Sequence, residues 1–380
     1  MFKRISAANF LLFVSVFMLY PVLPAAITDR LDLTLTEVGY IFIFILIGRI
    51  FSGPFINYLI DSFRRRSLCI TAFILVTIIT AAYYAVGNLA EVYILSFAQG
   101  VAFGIASSSL ITMVIDVTLS ENRSHANVVF GWLTRIGMTI GVALGSILYL
   151  NCNFYITLLV SVAIGLLGVF SLFCVHIPFR APIGCKLLSL DRFLLPRSWV
   201  LIINLVMIAL VPGLLMPLIH FEITSLFILN SWIIPYYAVV PIGFIITFFL
   251  VKVFDKSKER VQLLTGLTLL ACAISVFMLS HDVVSQLFSA LLLGASLTMV
   301  TPRFLLMFID LSRHCERASA NTTNLLSWGV GLSAGIALSC YLKDEYSSMT
   351  VYQTALFFAA ASLIYFILFS YPYYLQKKVR

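Results

Sequence analysis

Apolar stretches long enough to cross a bilayer follow one another along almost the whole chain, and nothing constrains its fold more. They fall at about 8–28, 37–60, 67–87, 92–118, 126–150, 154–177, 199–221, 228–254, 261–280, 284–310, 319–342 and 351–371. A crossing helix needs about 20 mostly apolar residues. Only 11% of the 380 residues are charged, where a soluble chain carries roughly a quarter. Helix is forced on each stretch, because an open strand in hydrocarbon leaves its backbone polar groups unpaired. The expected fold class is an all-α integral membrane protein with 12 transmembrane helices.

The start imitates a secretory leader, with Lys3 and Arg4 before an apolar run and Pro24-Ala25-Ala26 after it. A leader's apolar core spans about 7–15 residues. The run from Ala8 to Ile27 is longer, so it reads as a retained first helix.

Orientation follows from counting basic residues. With the N-terminus inside, the inner loops and helix ends hold 19 Lys and Arg, the outer loops hold Arg30 and Lys343, and three arginines lie within helices. The positive-inside rule then puts both termini in the cytoplasm. It also accounts for the net charge of +8, so nucleic acid is not an expected partner. The seven cysteines show no CxxC or metal-ligand spacing. Cys152 and Cys340 are expected near the outer face, as a bridge or, preferably, as two inert thiols. No cofactor or metal is expected.

The long connection 178–198 carries Arg180, Lys186, Asp191, Arg192 and Arg197 with three prolines. It divides the chain into two six-helix bundles, 1–177 and 199–380. Shifting the chain by 194 residues superposes them without a gap. Asp61 meets Asp255, Arg66 meets Arg260, Asp116 meets Asp310, Asn127 meets Asn321, and Gly137 and Gly141 meet Gly331 and Gly335. Halves of like orientation imply parallel repeats about an axis along the membrane normal, an arrangement that lets two bundles rock around a central site.

The segment Gly53-Pro-Phe-Ile-Asn-Tyr-Leu-Ile-Asp-Ser-Phe-Arg-Arg-Arg66 resembles the major facilitator signature between helices 2 and 3. Leu59, Asp61, Arg65 and Arg66 match it, while Asn57 and Arg64 stand where it has glycine. Leu23-Pro24, the run Leu33 to Gly39, and Gln99-Gly100 are also similar to that superfamily. Gly137, Gly141 and Gly145 resemble the helix 5 signature of its antiporters, with Val142 in place of proline and Ser146 of the last glycine. Ser96 replaces an arginine of the helix 4 motif. These departures leave the usual proton-coupling route unassigned.

The resemblance implies a major facilitator fold and a cytoplasmic gate built from Asp61, Arg65, Arg66 and Asp116, echoed by Asp255, Arg260 and Asp310. Anchoring of topology is the simpler role for the arginine run. Gly137, Gly141 and Gly145 share one helix face and mark a close-packed hinge, expected where the halves slide.

The arginines within helices are Arg49, Arg135 and Arg303. At 1.5 Å per residue, Arg49 lies about 18 Å from Asp61, near mid-membrane. No Asp or Glu lies deep in any helix to neutralise them. Their repeat positions hold Gly243, Gly329 and Ser109, so the arginines break the symmetry. A guanidinium facing a cavity suits a carboxylate or phosphate. All three are candidate substrate-binding residues, with snorkelling the plain alternative, above all for Arg303.

The chain therefore reads as a secondary active transporter of a small organic, anionic or zwitterionic solute. Export is favoured over uptake or anion exchange. The expected setting is a bacterial inner membrane. The expected partners are the solute, lipid and a proton or counter-anion, and the expected state is a monomer. A non-transporting sensor and a membrane-embedded enzyme are the rivals from other classes. No HExxH or P-loop lysine supports the enzyme.

Overall fold

The computed structural model describes residues 1–118, 123–176, 186–221, 227–229, 231–253, 259–279, 282–313 and 316–378. Two prolines shape its start. The apolar run expected as one helix over 8–28 is α1 (Phe2–Phe17), a stretch of turns, and α2 (Leu23–Leu31). Pro21 and Pro24 cause the break, since proline donates no hydrogen bond and its ring crowds the preceding turn. Asp32 ends α2 in the left-handed region at φ 52°. Thr34 and Glu37 then cap α3 (Leu35–Ser52) reciprocally.

A single 3-10 turn at Gly53–Phe55, set by Pro54, leads into α4 (Ile56–Ser62). It is followed by α5 (Arg65–Ala82), α6 (Leu89–Val117), α7 (Arg123–Asn151) and α8 (Phe154–Phe173). Asn88 and Asn153 cap α6 and α8 by accepting from the backbone of Glu91 and Ile156.

The second set opens with α9 (Trp199–Phe221). The next segment departs from the all-α expectation. Residues 228, 229 and 232–234, expected to begin a helix, instead lie in a pair of antiparallel strands, β1 (Phe227–Leu229) with β2 (Trp232–Ile234). Ser231 takes a positive φ at its tip, and Pro235 separates it from α10 (Tyr236–Val253). Asn151 clasps the hairpin, accepting from Ile233 N at 2.6 Å and donating to Ile233 O at 2.8 Å. The remaining elements are α11 (Glu259–Leu279), α12 (Val283–Asp310), α13 (Arg317–Glu345), α14 (Ser348–Tyr365), a π turn and α15 (Tyr371–Lys377).

Among the described residues, ten helices are long and apolar enough to cross a membrane. Two of the twelve expected crossings fall short as described: α1, with 16 residues, and α10, whose apolar part is Tyr236–Leu250. The packing repeats itself. α1 lies on α7 and α8, α3 on α6, and α5 on α6 and α8. In the same way α9 lies on α13 and α14, α10 on α12, and α11 on α12 and α14. The two sets touch chiefly where α3 meets α13 and α7 meets α10.

The expected glycine hinge sits elsewhere than between the halves. Gly137 and Gly141 face Phe10 and Val14 of α1, and Gly145 faces Met18 just past its end, so this seam lies inside the first set. Gly331 and Gly335 face α9 in the same manner. Small residues let the backbones approach, and the opposite side of α7 is left to face the second set. Cys152 and Cys340 are free thiols.

Gly100 and Gly294 hold equivalent crossings, of α6 on α3 and of α12 on α10. A Cβ at Gly100 would strike Ile45 O, and one at Gly294 would strike Val240 O. Backbone cannot yield as a flexible side chain does. Gly100→Leu and Gly294→Leu should each cost at least about 1–3 kcal/mol, the usual range for overpacking. The check is thermal unfolding in detergent, with a lower Tm expected for both.

A pair of buried arginines beneath a bridged end

Two arginines from different helices meet one helix. Arg49 of α3 is 8% exposed and Arg135 of α7 is 7% exposed. Both reach α13 at adjacent residues. Arg135 stacks 4.4 Å from the Trp328 ring, donates to Asn324 Oδ1 at 2.9 Å and contacts Met138 Sδ at 3.5 Å. Arg49 stacks 5.3 Å from the Phe103 ring, and its Nη1 lies 2.8 Å from where a Cβ of residue 329 would stand. Gly329 is therefore small because Arg49 fills its side-chain space. Two positive charges are thus brought to neighbouring positions on α13. Among the described residues, no carboxylate pairs with either.

Arg135 separates two small cavities. The larger, about 40 Å³, is walled by Met138, Val142, Met216, Phe244 and Leu297. The smaller, about 10 Å³, is walled by Thr134, Thr301, Asn321 and Asn324 among others. A space of about 10–15 Å³ holds one water, so the centre is nearly closed. Arg303 is not part of this arrangement. It donates to Gln262 Oε1 at 2.5 Å and lines a separate pocket beside Glu259, Leu263 and Tyr374.

At the basic end, Arg65 pairs with Asp116 and, at 3.2 Å, with Asp61. Arg66 joins no acid among the described residues; it donates to Phe173 O at 2.6 Å, on the negative C-terminal end of α8. The second copy is wired differently. Glu259 stands at the position equivalent to Arg65, so Asp310 finds its cation in Lys378 at 3.0 Å and bonds the Tyr374 hydroxyl at 2.6 Å. The bonds to Tyr374 and Asp310 hold the Lys378 ammonium above its ordinary pKa. Arg260 stacks on Tyr371 at 5.1 Å. Asp255 lies outside the described residues.

Sequence reasoning missed the part played by the connection between the sets. Arg192 pairs with Asp61 at 2.6 Å, while its N–H donates to Ser319 Oγ at 2.9 Å. Leu195 N donates to Thr323 Oγ1 at 2.8 Å and Ser189 N to Pro54 O at 3.0 Å. Phe193 packs with Ile56, Ile60 and Leu326, in the space left by Gly53. Residues 189–195 therefore bridge α3–α4 to α13. At the opposite end Thr36 donates to Asp344 and Gly39 abuts Cys340. Both ends are bridged. Asn324, the partner of Arg135, and Asn321 beside it were also missed as site residues, although the match of Asn321 with Asn127 in the repeat was a visible signal.

The family model described as Major Facilitator Superfamily matches residues 5–336. The chain belongs to the major facilitator superfamily. This makes it a membrane transporter rather than an enzyme. No curated protein matches this major facilitator in sequence. Three solved structures share its fold. A mutant of the nucleoside transporter NupG aligns with TM-score 0.71 and 15% identity, over 96% of this chain and 98% of that one. A mutant of the peptide transporter POT, in complex with alafosfalin, gives 0.74 and 10%, over 100% and 96%. The human organic anion transporter MFSD10 (TETRAN) gives 0.68 and 13%, over 96% and 98%.

Arg192 offers a direct handle on the bridge. Arg192→Ala removes one cation from Asp61 and leaves the Arg65 pair in place. With Thr301→Cys beside Arg135 as reporter, labelling by an impermeant maleimide added at the basic end should become severalfold faster. An unchanged rate would show that the connection does not close this end.

Proposed function

We propose that this major facilitator is a secondary active transporter of a small organic anion or zwitterion, working by alternating access. The observation that carries the proposal is the meeting of Arg49 and Arg135 at Trp328 and Gly329 without a carboxylate partner among the described residues. Ionisable groups inside membrane helices mark solute pathways by default. Two of one sign favour a solute of the other sign. Arg303, held by Gln262, stays outside this solute site.

In this reading 12 crossings form two six-helix halves, 1–177 and 199–380, joined by 178–198. The α1–α2 and α10 segments supply the two crossings that are shorter as helices. The cluster of Asp61, Arg65, Asp116 and Arg192 is the cytoplasmic gate, and Asp310 with Lys378 is its counterpart in the second half. Both termini face the cytoplasm of a bacterial cell, since the basic residues gather at that end. Export is favoured by the likeness of Gly137, Gly141 and Gly145 to an antiporter signature. The structural neighbours support the fold alone, because their names span nucleosides, peptides and organic anions at 10–15% identity.

The test is flux in proteoliposomes, with and without a pH gradient, for panels of small organic anions, zwitterions and cations. Anions or zwitterions should be carried and cations excluded. One charge-assisted hydrogen bond contributes about 1.5–3 kcal/mol. Arg49→Gln and Arg135→Gln should therefore each slow flux at least about tenfold. Wild-type flux in both variants, or transport of cations alone, would sink the proposal.

A further inference from the structure

The surroundings of Arg135 are polar on one side and apolar on the other, and that asymmetry narrows the solute. Asn324 and Asn321 lie three residues apart, on one face of α13. They are 3% and 5% exposed. The bond from Arg135 Nη2 uses Asn324 Oδ1, which fixes that amide with its NH₂ turned outward; the flipped amide would set NH₂ against guanidinium. Neither Asn324 Nδ2 nor Asn321 Nδ2 has a hydrogen-bond partner among the described residues. Both side chains line the cavity of about 10 Å³ that Arg135 also lines. Buried donors without acceptors are costly. A guanidinium and two amide donors around one space form a receptor for an oxyanion.

Beyond Arg135 the cavity of about 40 Å³ is lined chiefly by apolar groups, among them Met138, Met216, Phe244 and Trp328, and the hydroxyls of Thr139, Thr301 and Tyr237 that reach it already donate to helix carbonyls. Among the described residues, no Asp or Glu lines either cavity. An ammonium group has no carboxylate to meet there, and a polyol would leave hydroxyls against hydrocarbon. We infer that Asn321, Asn324 and Arg135 form a carboxylate clamp that selects a carboxylate bearing a compact apolar body and no amino group. The headgroup lies among the donors and the body lies on the Met138–Phe244 side. The inference rests on the solute site proposed above and sharpens it: zwitterions are discriminated against. Asn321 and Asn324 are specificity-determining residues, and opening of the halves enlarges the space to admit the body.

The test uses the full-length protein in detergent at fixed ionic strength, with ligand-induced Tm shift and tryptophan fluorescence as readouts. The probes are benzoate, phenylacetate and hexanoate, set against acetate, benzamide and phenylalanine. At least one of the first three should bind saturably. Acetate, benzamide and phenylalanine should bind at least about tenfold more weakly. Asn321→Ala and Asn324→Ala should each weaken the best carboxylate about tenfold or more, the scale of one hydrogen bond to a charged group. Asn324→Asp keeps the side-chain shape and gives Arg135 an internal counter-ion. It should abolish binding while the protein stays monodisperse, which separates lost recognition from lost folding.

Three results overturn the clamp: benzamide or phenylalanine matching the best carboxylate, Asn variants binding like the wild type, or none of the three carboxylates binding. If the arginine-dependent flux of the previous section persists in those cases, the solute site stands and only its specificity was misassigned. If that flux is absent as well, the transport reading fails with it.

Discussion

Two like charges buried within apolar helices set the terms for everything around them. Each guanidinium has an aromatic face beneath it, Phe103 for Arg49 and Trp328 for Arg135. Such contacts contribute about 0.5–2 kcal/mol each, far less than an isolated buried ion costs. The surrounding fold must hold the pair in place, and it does so through backbone proximity. Gly329 yields its side-chain volume to Arg49, and Gly48 and Gly100 bring α3 and α6 close together behind it. The glycines on α7 dock that helix on α1, so that Arg135 on another face is turned toward α13. Small residues in this chain are where the charged ones gain their positions.

The repeat supplies scaffold, and its violations supply chemistry. Gly100 and Gly294 do one job twice, as do Gly137 and Gly331. Arg49 and Arg135 have glycines as counterparts, so the net charge of the centre comes from one half alone. The basic end shows the same principle. Replacing Arg65 by Glu259 in the second copy removes the natural partner of Asp310, and the C-terminal helix compensates with Lys378 and Tyr374. One copy draws its counter-charge from within the half and from the connection, the other from the C-terminus. In the proposed cycle the two gates therefore respond to different segments.

The legible part of the fold was whatever depended on a period or a count. Apolar runs, the excess of basic residues in alternate loops and the offset of 194 residues lie in the chain itself. The hairpin at 227–234 was illegible because a short apolar run suits strand and helix equally; Pro235 was the one hint. The split first helix was better signalled, by Pro21 and Pro24. Within the site, the depth of Arg49 and Arg135 followed from rise per residue, but the face of each helix did not. Arg303 was drawn into the same group because one dimension cannot show that it turns toward α11. The assignment of the glycine seam to the halves' boundary failed similarly, since a small-residue stripe says how closely a neighbour packs and not which neighbour it is.

Arg192 is where the connection between the two sets takes hold of both. Its carboxylate partner, Asp61, is shared with Arg65, which also holds Asp116. The backbone of the same arginine bonds Ser319 of α13 at a positive φ of 61°, a conformation that costs a non-glycine residue of order 1 kcal/mol or more. A connection that merely joined two halves would have no reason to adopt it. Here the strained residue fastens α4 to α13 at the end nearest the arginine pair, with Phe193 sealing the gap left by Gly53. In the proposed cycle, separation of the halves at this end breaks that fastening before it opens the space beneath Arg135. The segment that divides the sequence in two is thus also the one that the proposed motion has to release first.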